Sequence, residues 1–451
     1  MRLVVAVGLM MCAGATACGN FLTDSAAVHD PNTPSTATRN QLLAGIEAQM
    51  IDQQEGAVAM VICQWVQQCA GIGGRFVEAQ GHYAISGTTF NADFNAIYTR
   101  GGLISLKTAE ASASADEDNV YLGVLEVLEA MQVGWGADIW GDIPYSDAAG
   151  GSPTPTFDGQ MAIYTSLQSL LDRAIADLAG SGAGPGVADY LYGGDKARWI
   201  QLAFTIKARL YLHTVETAGA GQYALALSSA TRGLSSPSND LFAVHSNATS
   251  ERNLWAQFQL TSFGNDLVAG KVLADLMNAD NDPRRPEYFA RNPLGTYGGH
   301  DAVTNNTPAD QVSPIFGSAR TSNVTFPQPL VTWAENQLII AEAVLAISGP
   351  VAAQPFLNAV RTKYGKPIRA VTLQAIMEEK YILLFQNVEV WNDFKRNCYP
   401  RLKPANSSFS AVPGRLLYGT TESQTNGGNR PPEGALQSSR NANDPGPCPT
   451  A

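Results

Sequence analysis

Residues 377–401 read MEEKYILLFQNVEVWNDFKRNCYPR, and the spacing of their large apolar side chains decides the fold class. Met377, Tyr381, Leu384, Val388 and Trp391 fall at alternating steps of four and three, which lays them along one side of a helix. Phe385 and Phe394 widen that seam. Glu378 and Glu379 stand in the first turns and Lys395 and Arg396 in the last, as the helix dipole favours. Pro400 stops the run. The pattern predicts one long amphipathic helix. With each large side chain worth roughly 1.5–3 kcal/mol when fully buried, it would be a principal organiser of the core.

Working outward, the same period recurs along most of the chain. Helices are predicted over 36–70, 91–114, 116–140, 158–178, 196–218 and 222–234. The pair from Trp199 to Leu234 carries Ala203, Ala208, Tyr223, Ala226 and Ala230 where two helices would cross. A second pair, 336–347 with 352–364, alternates small and large residues in the same way. Both resemble tetratricopeptide packing. Two regions break the pattern: the Gly-rich loop 71–89, and the long segment 235–330, rich in Asn, Pro, Gly and aromatics. Loops of that length in a compact protein are usually functional.

The composition narrows the function. Hydrophobic residues make up 45% and charged residues 15% of 451 positions, so most of the chain has the means to fold around a core. Acidic residues outnumber basic ones by 40 to 29, which argues against nucleic acid as a ligand and for neutral or polar partners. At the amino terminus, Arg2 precedes the apolar run LVVAVGLMMCA, too short to span a membrane and typical of a secretory leader. Ala15-Thr16-Ala17-Cys18 resembles the lipobox of bacterial lipoproteins, with Cys18 as the acylated first mature residue. The chain then divides into a leader (1–17), a lipidated tether (18–35) and a folded domain (36–451). In an exported chain, Cys63 with Cys69 and Cys398 with Cys448 are candidate disulfides. On a continuous helix the first pair would stand too far apart, so that bridge requires a helix break between them. The five scattered His and the lack of metal-ligand spacing imply no metal.

Six segments taken together resemble the SusD/RagB-like outer-membrane nutrient-binding lipoproteins: GDIPYSDA (141–148), ARWIQLAFTIKARLYLH (197–213), DPRRPEYF (282–289), AEAVLA (341–346), EEKYILLFQNVEVWNDFKRNCYPRL (378–402) and RLLYGTTE (415–422). They occur in the family's order, behind a leader and a DPNTP tether at 30–34. The resemblance implies a mainly α fold, a single large SusD-like domain in which tetratricopeptide-like helix pairs support a loop-rich ligand face. It also implies binding without catalysis, no cofactor, and anchorage in the outer membrane at the cell surface. The implied partners are a glycan or peptide nutrient and a SusC-like TonB-dependent transporter that receives it. An alternative of another class is a lipid-anchored helical-repeat scaffold for envelope assembly.

Sugar capture needs flat rings against C–H faces and polar side chains for hydroxyls. The loops offer Phe76, His82 and Tyr83 in the first irregular region, and Tyr297, His300 and Phe316 in the second. Trp255 is a further candidate, although its flanks Leu254 and Phe258 suit a core strand equally well. Asn239, Asn265 and Arg320 are possible polar partners. Trp135, Trp140, Trp199, Trp333 and Trp391 sit on helical faces and read as core. Asp138 and Asp142, four residues apart, could form a carboxylate pair, but a helix end makes Asp142 a turn or capping residue.

Overall fold

The computed structural model describes residues 37–444 and 446–449. Cys18 and the boundaries of the leader and tether lie outside the described residues. The principal helices are α1 (Arg39–Glu55), α2 (Ala57–Trp65), α3 (Leu103–Ala115), α4 (Asn119–Trp140), α5 (Gln160–Ala179), α6 (Lys196–His213), α7 (Gly221–Ala230), α8 (Lys271–Ala279), α9 (Trp333–Ser348), α10 (Pro350–Lys363), α11 (Leu373–Leu383) and α12 (Glu389–Asn397). Helix packs on helix in succession: α1 on α3, α3 on α4, α4 on α5, α5 on α6, α6 on α7, α7 on α9 and α9 on α10. Small residues set the close crossings, for Ala203, Ala208, Ala226 and Ala230 are all buried. The expected helix pairs are therefore present. No helix of the described residues is long and apolar enough to cross a membrane.

Strands are few and short: β1 (Cys69–Gly71), β2 (Ile143–Pro144), β3 (Phe157–Asp158), β4 (Leu241–Ala243), β5 (Leu267–Ala269) and β6 (Gln328–Val331). They pair antiparallel as β1 with β5, β2 with β3 and β4 with β6. Each ladder pins a loop to the helical body.

Several predicted helices are interrupted, by turn residues and by the partners those residues find. The single helix expected over 377–401 is two, α11 and α12, separated by a turn in which Gln386 takes a left-handed conformation at φ 62°. Asn387 caps the restart by accepting from the Glu389 N–H at 3.0 Å, and its amide donates to the Leu330 carbonyl of β6 at 3.0 Å. Polar side chains that compete with the backbone outweigh the apolar period at this point. The region 36–70 breaks at Gly56 and ends at Trp65. Gln67 then turns left-handed, at φ 59°, so that Cys63 and Cys69 come within 5.1 Å between Cα atoms and are bonded. Cys398 and Cys448 form the second disulfide.

The apolar seam still does what its spacing requires. Tyr381, Leu384, Val388 and Trp391 sit in the main core, whereas Met377 belongs to the second core formed by α6, α7, α9 and α10. The stretch therefore joins the two cores. Its charges are not at solvated helix ends. Glu379 is 2% exposed and accepts from Arg284 (2.6 Å), Arg361 (3.0 Å) and Lys366 (2.7 Å). Arg284 and Lys366 also hold Asp282, and Arg361 and Lys366 also hold Asp280. Nearby, Arg396 pairs with Glu342 and Asp393, and Lys380 with Asp393.

These buried networks carry equal numbers of opposite charges, so losing one member leaves the others uncompensated in a dry site. Glu379→Gln should destabilise the fold by about 3–5 kcal/mol, read from urea denaturation. Burial pushes the Asp282 carboxyl up, but hydrogen bonds and charge from Arg284 and Lys366 overrule it and hold its pKa well below 3.8. Its contribution to stability is thus present above about pH 4 and lost as pH falls further through the folded value. A stability profile flat from pH 5 down to pH 2 would contradict this.

Candidate functional site

The β1/β5 ladder organises the irregular face. Cys69 pairs with Ala269, Ala70 with Val268 and Gly71 with Leu267, and the Cys63–Cys69 bridge ties the start of β1 to α2. The ladder extends through backbone hydrogen bonds from His300 N–H to the Ala269 carbonyl (2.7 Å) and from Lys271 N–H to the His300 carbonyl (3.0 Å). Segments meet here at van der Waals distance. A Cβ on Gly270 would lie 2.1 Å from the Gln67 carbonyl oxygen, and one on Gly299 would lie 2.4 Å from the Gly270 backbone. Glycine is needed at both positions for close approach rather than for mobility.

At one end of this ladder lies an open recess of about 300 Å³, lined by Gln67, Lys271, His300, Asp301, Thr304 and Arg401, with Lys403 at its edge. His300 Nε2 lies 2.8 Å from Asn305 Oδ1. Asp301 accepts from the Val303 and Thr304 N–H groups, which fixes the loop. His82 borders the recess, its Nε2 3.4 Å from the Ala302 carbonyl. Lys271 pairs with Asp275, whereas Arg401 and Lys403 have no ion pair among the described residues. Donors and acceptors of this kind suit hydroxyl groups.

The structure brings His300 to this recess, with His82 against its Ala302 wall, but withdraws most of the predicted rings. Phe76, Tyr83, Trp255 and Phe316 are each at most 3% exposed, so they cannot stack on a ligand in this conformation. Phe76 packs edge-on against Phe258. Tyr83 lies between Trp65 and Phe409, and its hydroxyl accepts from the Ala405 N–H at 2.9 Å. Trp255 lies on a short helix, Leu254–Gln259, rather than on a core strand. Even the His300 side chain is largely buried, leaving an edge for the recess. Tyr297 is half-buried, flanked by the guanidinium groups of Arg285 and Arg291. The physical reason is shared: a long loop segment folds inward when its rings offer the only apolar surface available to hold it.

The exposed rings are others. Phe263 is 56% exposed, beside Leu260 (55%) on the loop that leads into β5, and Ile72 (45%) lies at the facing end of β1. Ile72 N–H donates to the Asp266 carbonyl, which joins the two loops. Phe263 stands in TSFGND, a lone aromatic among turn residues, which is the one signal that sequence reading could have used. Tyr190, 63% exposed, lies in the loop before α6. The recess and the Phe263 patch thus lie beyond opposite ends of one short ladder.

The remaining carboxylates have structural duties. Asp142 accepts from the Gln160 N–H at 2.8 Å and caps α5. Asp138 receives the Tyr164 hydroxyl at 2.6 Å and faces His213 Nδ1 at 3.1 Å, while Glu389 lies 2.8 Å from His213 Nε2. These three side chains place donor atoms within 4.8 Å of one another, as a metal site would. Burial alone would push the His213 pKa down, but the flanking carboxylates raise it to about 10. A protonated ring has no lone pair for a metal. The stabilisation is present below about pH 6.5 and lost as pH rises through about 10. The His213 ring resonances should therefore stay constant from about pH 5 to 9 in NMR, and a midpoint near 6.5 would refute the ion triad.

A helical scaffold thus carries a polar, loop-built recess on its irregular face. The family model described as SusD-like, starch-binding and associating with the outer membrane matches residues 31–419. The chain belongs to this SusD-like family, whose members are non-catalytic carbohydrate-binding proteins. No curated protein matches it. Among solved structures, it is similar to a SusD/RagB family protein from Bacteroides thetaiotaomicron, with 21% identity and a TM-score of 0.70, covering 91% of this chain and 100% of the other. A chitin-binding SusD homologue from Flavobacterium johnsoniae matches at 19% identity and a TM-score of 0.71, covering 86% and 94%. A structure described as a chitin-binding protein matches at 20% identity and 0.72, covering 90% and 100%. At these identities the likeness shows the fold.

Proposed function

We propose that this chain is an outer-membrane lipoprotein, anchored through Cys18, that captures a glycan without altering it and delivers it to a partner TonB-dependent transporter. The observation that carries the reading is the family match along residues 31–419, with its description as starch-binding and outer-membrane-associating. The open recess beside His300 and the exposed Phe263 patch support it, because they offer hydrogen-bonding groups and an exposed flat ring. Contact of this limited kind gives an affinity of roughly micromolar to millimolar, or about −4 to −8 kcal/mol. Weak capture suits release into a channel.

Isothermal titration of the full chain against starch, chitin and other oligosaccharides tests the proposal. Silence across the panel, together with stable capture of an envelope protein, would favour an assembly scaffold instead. Thr304→Trp should fill the recess and weaken binding at least tenfold. Phe263→Ala should weaken it three- to tenfold with an unchanged melting temperature. Phe76→Ala should instead cost about 3–5 kcal/mol of stability, because that ring is core. For the anchor, incorporation of labelled palmitate should disappear in Cys18→Ala.

A further inference from the structure

The recess beside His300 carries more positive charge than the hydroxyl groups of a sugar require. Lys271, Arg401 and Lys403 line it against two carboxylates, Asp275 and Asp301. Lys271 is spent on Asp275. Asp301 is turned to its own loop, where one oxygen accepts from the Val303 N–H at 2.9 Å and from the Thr304 N–H at 3.2 Å. Arg401 and Lys403 have no ion pair among the described residues, and both are exposed where they border the recess. Two cations with water-accessible side chains therefore open onto it.

Their placement follows from the backbone. Pro400, Leu402 and Pro404 are buried, and Arg401 and Lys403 are exposed between them. Alternation of this kind sends the two cations to one side of the segment while its apolar residues grip the other. Leu402 belongs to the main core. The Lys403 carbonyl accepts from Gln67 Nε2, and Gln67 stands in the turn that the Cys63–Cys69 bridge closes. The segment is thus held in place without its charges being answered. A lone surface cation needs no partner, but here two converge with Lys271 on one concavity, in a chain whose acidic residues outnumber its basic ones by 40 to 29. Remote negative charge is screened beyond about 8 Å, so the local excess governs what enters. A guanidinium offers paired N–H donors to the oxygens of a carboxylate or a sulfate, and an ammonium adds a point charge beside it. The volume of about 300 Å³ lies at the lower edge of the roughly 300–1,000 Å³ of small-molecule sites, which suits about one sugar residue with its substituent.

We propose that Arg401 and Lys403 make the recess selective for a glycan bearing an anionic substituent, a carboxylate or a sulfate ester; the inference deepens the glycan-capture reading above and rests on it. The test is titration of the full chain with two matched pairs: oligogalacturonate and its methyl ester, and sulfated and unsulfated galactan oligosaccharides. In one pair at least, the charged member should bind about tenfold more tightly or better, and the pair that responds identifies the anion. Arg401→Gln and Lys403→Gln should each weaken the charged ligand by roughly three- to tenfold, with the uncharged counterpart and the melting temperature unchanged. Added salt should shrink the preference. Equal binding within both pairs, or a preference that survives both Arg401→Gln and Lys403→Gln, would overturn the inference while leaving neutral-glycan capture intact. A preference undiminished in Thr304→Trp, where the recess is filled, would place the anion elsewhere on the surface and overturn it likewise. Silence toward charged and uncharged glycans alike, starch and chitin included, would remove both readings.

Discussion

The Glu379 carboxylate lies at the junction on which the structure depends. One side chain, 2% exposed, accepts from Arg284, Arg361 and Lys366, and through them is tied to Asp280 and Asp282. These residues come from the segment after α8, from α10 and the loop behind it, and from α11. Three acids against three bases let six charged side chains leave water together. A balanced network of this kind need not exceed an apolar core in stability, but it tolerates very few arrangements. It fixes how the irregular middle of the chain docks on the helix pairs.

That constraint explains what the recognisable motifs are for. DPRRPEYF contributes Asp282 and Arg284, and EEKYILLFQNVEVWNDFKR contributes Glu379, Lys380, Asp393 and Arg396. Asp142 in GDIPYSDA caps a helix, and His213 closes an ion triad with Asp138 and Glu389. The segments by which the family is known are therefore parts of the scaffold. The recess beside His300 lies largely outside them, on loops whose side chains can change without disturbing the charges beneath.

The irregular face is stiffer than its composition suggests. Glycines at 270 and 299 allow backbones to touch, a disulfide fixes β1 to α2, and rings such as Phe76, Tyr83 and Phe316 anchor the loops from below. Loops held this rigidly have little freedom left to lose on binding. The rings that anchor and the ring that is offered divide the labour: four aromatics face inward and Phe263 faces out.

From the sequence alone, the helical class, the paired helices with Ala203, Ala208, Ala226 and Ala230 at their crossings, and the burial of the seam from Met377 to Trp391 were legible. Each depends on a short-range period that one chain segment carries by itself. The break at Gln386, the role of Glu379 and the outward position of Phe263 were not, for they depend on partners tens to hundreds of residues away. Gln386 meets Arg320, Glu379 meets Arg284, and Tyr83 finds Ala405. A local pattern can state that a ring or a charge must be satisfied. Only the tertiary structure decides whether the core, an opposite charge or the solvent satisfies it, because burial is a property of what the rest of the chain brings to that point.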